Sequence, residues 1–284
     1  MLFIGVLWAE TILQTRFLPH DGAELLLEKH QFHAAGPMLE ALEAAALAGQ
    51  DGKLFTFCEQ DEPCIRFIGS VTEQAKYRIF MARHPQLHRY ILRSSLGEEA
   101  VMQDALYEVD FSRRDFEALY REDEAVLLDG ESILFMKGLL PCLQKHSNIA
   151  LHVAPGTALR KIRPELMAQL LALHPVFHVT EDVLCSFTHT EDVAAAAAMV
   201  CNLSQNAVIV RLQSGDAWLH TSDGSQLIHA SKEASASEYH RAGIVLARLE
   251  QGCSMKDAVQ SSVATRATLK KQNARFAYAE EEKR

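Results

Sequence analysis

Short apolar runs punctuate this chain, and most lack the in-out alternation of a half-buried strand. Leu2–Ala9, Leu54–Cys58, Ala125–Leu128, Ile149–Val153, Val176–Val179 and Ala207–Leu212 are the clearest. Such runs predict strands covered on both faces. Between them lie stretches with the alanine and leucine content of packed helices: Met38–Ala48, Phe111–Tyr120, Ile133–Lys145, Arg163–Leu173 and Glu191–Leu203. Gly49 ends the first, Ser112 is a cap for the second, and Pro164 stands in the first turn of the fourth. From residue 120 onward strand and helix alternate. That order predicts an α/β fold, a mostly parallel sheet between two helical layers.

The first third reads differently. Thr11–Phe17, Leu25–Phe32, Cys64–Ile68, Lys76–Met81 and Arg89–Arg93 suggest strands, with Arg83–His88 as a hairpin turn around Pro85. Residues 63–70 read equally as helix. A β insert drawn from about 11–33 and 65–95 is expected to project from a single domain spanning 1–284. Near the far end, Ala217–His220 and Gln226–Ala230 pair around Asp223-Gly224. A polar loop then leads into an apolar helix, Arg241–Leu249. Gly252 stops it, and Ser254 opens another helix with Asp257 three residues on, as in a capping box. A loop feeding a buried helix N-terminus leaves backbone N–H groups free to hold an anion. What this loop contains therefore bears on the chemistry.

Hydrophobic residues make up 48% of the 284, enough for a sizeable core. The formal net charge of −9 argues against a nucleic-acid partner. The basic group Arg266, Lys270, Lys271 and Arg275 reads as one solvated helix face. The six cysteines, at 58, 64, 142, 185, 201 and 253, form no CxxC pair, so reduced thiols are expected rather than a metal or redox motif. Met1–Trp8 is apolar but too short for a signal peptide and lacks a basic start. No apolar run reaches the roughly 18 residues that span a bilayer. A soluble, cytoplasmic protein without a membrane partner is expected. His84 and His88 flank Pro85, which prevents a regular helix, and read as a solvated turn rather than metal ligands. His152, His178, Trp8 and Trp218 fall in or beside strands and read as core. No P-loop, GxSxG or HExxH element is present.

Several segments stand in a telling order. Met1–Glu10 is an opening strand with an acid at its end. His33-Ala34-Ala35-Gly36-Pro37 leads into an alanine-rich helix. Val126-Leu127-Leu128-Asp129-Gly130 and Ala154-Pro155-Gly156 close two strands. Ala242-Gly243 to Gly252-Cys253-Ser254-Met255-Lys256-Asp257-Ala258 forms a closing helix pair. Together they resemble the ribokinase-like (PfkB) carbohydrate kinase family over nearly the whole chain. The resemblance implies a central α/β domain with a small β-sheet lid. It also implies transfer of the γ-phosphoryl group of ATP, with Mg, to a sugar or nucleoside hydroxyl. Lids of that family often pair between subunits, so a homodimer through the lid is expected.

On this pattern Glu10, Gly36 and Glu40 fall on the substrate side. Arg211, Gln213, Asp216, Ala236 and Ser237 fall on the nucleotide side, and no metal ligand is assigned. The departures carry the functional reading. Glu10 stands for the usual Asp, Ala35-Gly36 for Gly-Gly, and Glu40 for a substrate-contacting Asn. Thr180-Glu181-Asp182-Val183 replaces Asn-x-x-Glu, and Arg211-Leu212-Gln213 replaces Thr-x-Gly, with Asp216 where another Gly is usual. Ala236-Ser237-Glu238-Tyr239 replaces Gly-Ala-Gly-Asp, which puts Tyr239 at the position of the base. A positioned general base is worth roughly 10²–10⁴-fold in rate. A phenol, with pKa near 10, is a poor one at neutral pH. Glu238 adds like charge beside a phosphate, and Glu40 is acceptor-only where an amide both donates and accepts. Two readings follow. In one, kinase chemistry is lost and the fold serves ligand binding, regulation or scaffolding. In the other, Glu238, or Glu233 with His240, is a displaced base for an unusual substrate.

Overall fold

The computed structural model describes residues 1–20, 24, 26–58, 77–83, 87–106, 108–111, 113–146, 148–231 and 236–264. In chain order the strands are β1 (Leu2–Ile4), β2 (Trp8–Thr15), β3 (Lys29–Ala35), β4 (Gly52–Cys58), β5 (Tyr77–Arg83), β6 (Leu87–Ser94) and β7 (Glu99–Gln103). They continue with β8 (Val109–Asp110), β9 (Val126–Asp129), β10 (Met136–Lys137), β11 (Leu151–Ala154), β12 (Val176–Thr180), β13 (Val208–Arg211), β14 (Ala217–Thr221) and β15 (Gly224–Ile228). The α-helices are α1 (Pro37–Leu47), α2 (Arg113–Leu119), α3 (Gly130–Phe135), α4 (Leu139–Leu143), α5 (Pro164–Leu171), α6 (Glu181–Thr188), α7 (Val193–Ser204), α8 (Glu238–Glu250) and α9 (Met255–Ala264).

The main sheet has the order β15-β14-β13-β12-β11-β9-β1-β4-β5 among the described residues. It is parallel from β5 to β13, and the β14–β15 hairpin adds antiparallel strands at one edge. Side-chain alternation splits the sheet's two faces between separate cores. Leu2, Ile4, Leu128, Val153 and Val210 meet residues of α2 to α7 on one face. Phe3, Leu54 and Leu127 meet α1 and α8 on the other, and Ile209 and Leu219 meet α8 and α9. This is the expected three-layer α/β/α arrangement. The alanines of α1 are small enough to bring it close to α8, where Ala242, Leu246 and Ala247 are fully buried.

A second sheet, β3-β2-β6-β7, is the lid. Its inner strands β2 and β6 run parallel, and β3 and β7 flank them antiparallel. Several details differ from the sequence expectation. The Leu2–Ala9 run serves two sheets, since β1 ends at Ile4 and Trp8 opens β2. Tyr77–Arg83 extends the main sheet beside β4, so the strands flanking Pro85 are not hairpin partners. Glu99–Gln103 adds a lid strand. Ile133–Lys145 is broken where Met136–Lys137 pairs with Val109–Asp110. Ser112, Cys64–Ile68, His84, Pro85, Glu233 and the basic group from Arg266 to Arg275 lie outside the described residues. No helix among the described residues is long and apolar enough to cross a membrane.

Candidate active site

The chain leaves β1 toward β4 on one side, and later returns to fill β9, β11, β12 and β13 on the other. The carboxyl ends of β1 and β9 therefore form a topological switch point, the usual crevice for ligands in open α/β sheets. Asp129 ends β9 there. It caps α3 by accepting from the Ser132 N–H and hydroxyl, both at 2.6 Å, and it accepts from the Val6 N–H at 3.1 Å. Burial, then the nearby Glu131, pushes its carboxyl up to about 7, against the opposing pull of those hydrogen bonds.

Gly36 fixes the start of α1. A side chain at this position would collide with the Val6 carbonyl, so only glycine lets the helix begin hard against the end of β1. Glu40 then falls in the first turn. Its carboxylate accepts a hydrogen bond from the Ser237 hydroxyl at 2.5 Å, a contact between residues 197 apart in sequence. Ser237 is the N-cap of α8 and accepts from the His240 N–H at 3.1 Å. One hydroxyl thus ties the first turn of α1 to the N-terminus of α8. Burial raises the Glu40 pKa, the Ser237 hydrogen bond opposes it, and Glu238 adds to the rise while Arg211 counters it. One turn on, burial and then Glu40 push Glu43 up to about 7, with His33 opposing.

Tyr239 follows in the first turn of α8. Its hydroxyl lies over Gly156, and a Cβ on that glycine would fall on the phenol oxygen. Gly156 also has φ +51, a left-handed conformation suited to glycine. Burial first, and then Glu238, Asp129, Glu131 and Glu40, raise the Tyr239 pKa well above that of an ordinary phenol. Tyr239 is therefore a neutral phenol at neutral pH, with these carboxyl groups acting on it. Glu238 faces the same glycine.

The lid supplies a cross-strand row, His33–Glu10–Arg89, in register across β3, β2 and β6. The buried Glu10 lies 2.8 Å from His33 Nε2 and 3.8 Å from Arg89 Nη1. The Arg89 guanidinium lies 4.6 Å from the ring centroid of Trp8, close enough for a cation–π interaction. Burial raises the Glu131 pKa, while Arg89, Trp8 and Lys161 pull it down. The Trp8 indole N–H is aimed at the Glu131 carboxyl and helps lower its pKa as a hydrogen-bond donor, at a geometry looser than a full hydrogen bond.

On the other flank the proposed nucleotide residues are partly committed to structure. The Gln213 N–H donates to Glu181 at 2.9 Å. Asp216 accepts from the Ala230 N–H at 2.8 Å and the Ser214 hydroxyl at 3.0 Å, and these bonds hold its pKa below the usual value. Arg241, in α8, is buried and donates to the carbonyls of Gly215 at 2.6 Å and Asp216 at 3.4 Å. Burial, then the neighbouring Arg211, lowers its pKa to about 10. Arg211 forms no hydrogen bond or ion pair among the described residues. Ala236 is buried.

Comparison with solved structures decides the fold. Ribokinase from Thermotoga maritima matches with a TM-score of 0.75 at 15% identity, over 95% of this chain and 97% of that one. The fold is ribokinase-like. Ribokinase from Arabidopsis thaliana, solved with ribose and ATP, matches at a TM-score of 0.73 and 16% identity, over 92% and 89% of the two chains. Phosphofructokinase-2 from Escherichia coli, with fructose-6-phosphate, matches at 0.71 and 12%, over 93% and 91%. No protein-family model and no curated protein matches the sequence. Within this ribokinase-like frame Glu40, Ser237, Glu238 and Tyr239 lie together about the start of α8, Arg211 acts electrostatically on Glu40, and Glu10 lies in the lid between His33 and Arg89. Sequence reasoning missed Glu43, Glu131, Arg89, His33 and Arg241 as members of this cluster. The strand parity shared by Glu10, His33 and Arg89 was the available signal for two of them.

Proposed function

We propose that this protein is a sugar-kinase relative whose phosphoryl-transfer centre is closed, and that it binds a small polyhydroxylated molecule beneath its lid without transferring phosphate. One observation carries the reading: the Glu40 carboxylate occupies the N-terminus of α8 through Ser237. Exposed N–H groups and the helix dipole make such a terminus attractive to an incoming phosphate. Here an internal anion already sits beside it. A nucleotide polyphosphate would meet the charge of Glu40 and Glu238, and Mg would have to be held without the Glu that Val183 replaces.

Tyr239 supports the same conclusion. A neutral phenol with a raised pKa takes no proton from an acceptor hydroxyl, so the roughly 10²–10⁴-fold contribution of a positioned base is missing. The rival reading, an active kinase using Glu238, has one observation in its favour: Glu238 faces the same Gly156 as Tyr239. An ADP-release assay with ATP-Mg and a panel of sugars and nucleosides separates the two. The closed centre gives no release above background for any of them. Release that vanishes in Glu238→Gln establishes the rival.

The ligand-facing row His33–Glu10–Arg89 occupies one face of the lid. The neighbouring row, Phe32–Thr11–Tyr90–Met102, points to the other by strand alternation. Phe32, Tyr90 and Met102 are 39%, 40% and 55% exposed. An apolar sheet face of this kind favours a homodimer formed lid to lid. Light scattering at micromolar concentration should give twice the mass of the chain, and a monomer would remove the proposal.

A further inference from the structure

We propose that Asp129 is a positioning residue for the lid: its carboxylate pins the joint at Val6 through which the lid is fastened to the body. The inference goes beyond the reading above and does not rest on it, since the pin acts whether or not phosphate is transferred.

The lid meets the body through four connections: β1 to β2, β3 to α1, β5 to β6 and β7 to β8. Val6 lies in the first. Its side chain packs with Trp8 at the start of β2, Leu87 at the start of β6 and Leu106 beyond the end of β7. Its carbonyl lies against Gly36, in the connection from β3 to α1. Each crossing thus brings a residue to Val6 or to its immediate neighbours. Among the described residues this small apolar cluster is separate from the three that fill the body. The lid is therefore rooted in a joint of its own rather than in the body's core. A few residues at the ends of elements are the usual form of a hinge.

One peptide group decides what this joint is fastened to. The Gly5 N–H still bonds to the Phe55 carbonyl at 3.1 Å, within the main sheet. Trp8 already pairs with Ala35 and Leu87 in the lid. Between them Val6 is buried, and a buried amide left without an acceptor is costly. Its acceptor is Asp129 Oδ2, at 3.1 Å and 123 residues away in sequence. The other carboxylate oxygen is engaged separately, by the N–H and the hydroxyl of Ser132. Asp129 is itself buried at the end of β9, so the acceptor is fixed to the body on one side and to the joint on the other. The link passes hard against it: a Cβ on Gly5 would meet both Met38 and Asp129 Oδ2.

The test is hydrogen exchange of the indole N–H groups, followed by NMR on the full chain at pH 8, above the Asp129 pKa of about 7. The chain has 2 tryptophans. Trp8 reports on the joint, and Trp218, in β14 of the main sheet, is the internal reference. Trp218→Phe assigns the two signals. In Asp129→Asn the amide oxygen stays with the two Ser132 donors, and the NH2 group is turned on the Val6 N–H. The pin is lost while the size of the side chain is kept. Exchange at Trp8 should accelerate about tenfold or more, as for the loss of one hydrogen bond to a charged group, with Trp218 unchanged. Ser132→Ala removes a donor from the other oxygen and should leave the Trp8 rate as it was. An unchanged Trp8 rate in Asp129→Asn overturns the inference. So does equal acceleration of both tryptophans, or the same acceleration of Trp8 in Ser132→Ala. If Asp129→Asn does not fold, the unaltered protein decides. Its Val6 amide and Trp8 indole should be freed by one opening and share one level of protection. A Val6 amide that exchanges freely while Trp8 stays protected overturns the pin.

Discussion

Removing one hydroxyl should separate two roles of Ser237. In Ser237→Ala, α8 loses its N-cap, at a cost of about 1 kcal/mol. Glu40 also loses its donor at 2.5 Å. A hydrogen bond to a charged group contributes about 1.5–3 kcal/mol, and the low end applies because Glu40 is only partly buried. The expected loss is about 2–3 kcal/mol near pH 8. In a chain of this size that corresponds to a fall of about 4–10 °C in Tm. The loss should depend on pH, with a definite sign. The Glu40 pKa is raised above 4.5 in the fold, and the Ser237 bond is among the influences that oppose the rise. Without that bond the pKa climbs further, so the ionised carboxylate is less stable at every pH above it. As pH falls toward 4.5 and the carboxyl protonates, that part of the deficit disappears and the cap term of about 1 kcal/mol remains. Urea unfolding at pH 8 and pH 4.5 measures both, and Ser237→Thr should restore most of the stability. A deficit under about 0.5 kcal/mol at pH 8, or one that is the same at both pH values, would refute the assigned contact.

Two further perturbations test other parts of the structure. Gly156→Ala places a methyl group on the Tyr239 hydroxyl at a left-handed backbone position, and should destabilise by about 1–3 kcal/mol. Adding Tyr239→Phe should recover part of that loss, giving a coupling above about 0.5 kcal/mol in a double-mutant cycle; additivity would mean the two do not touch. The buried imidazoles of His152 and His178 meet at 3.0 Å on neighbouring strands. Burial lowers the pKa of His152 to about 4 and, with the charge of His152 added, that of His178 well below 6.5. Their neutral forms therefore support the fold above pH 6.5, and stability should fall as pH drops from 6.5 toward 4, by up to about 1.4 kcal/mol per pH unit for each histidine. Thermal melts across that range should flatten in His152→Leu/His178→Leu, and an unchanged slope would assign the acid sensitivity to other groups.

The central sheet was legible because strands buried on both faces leave uninterrupted apolar runs. The same signal hid the passage from β1 to β2. Trp8 and Ala9, at the start of the lid strand β2, are buried as thoroughly as Leu2 and Phe3 are within the main sheet, so hydrophobicity does not mark the change of sheet. Glu99–Gln103 escaped notice because most of its side chains are exposed and its pairing with β6 defines it. α6 was missed for a similar reason, since only Val183 and Leu184 are buried in it. At the site, Glu40, Ser237, Glu238 and Tyr239 could be placed by their positions in the order of segments. The hydrogen bond joining Glu40 to Ser237 could not, because it depends on how α1 and α8 pack. Glu43, Asp129 and Glu131 look like ordinary helix and strand-end acids. Only their convergence beneath the lid makes them a shared electrostatic environment.

Titration of the purified chain with ATP-Mg, alone and with each of a panel of sugars and nucleosides, is the most direct measurement. If Glu40 and Tyr239 close the transfer centre, no ATP-Mg titration gives a saturable heat, and Glu40→Asn together with Tyr239→Asp is needed before nucleotide is held. Stoichiometric ATP binding by the unaltered protein, followed by ADP in solution, would contradict this.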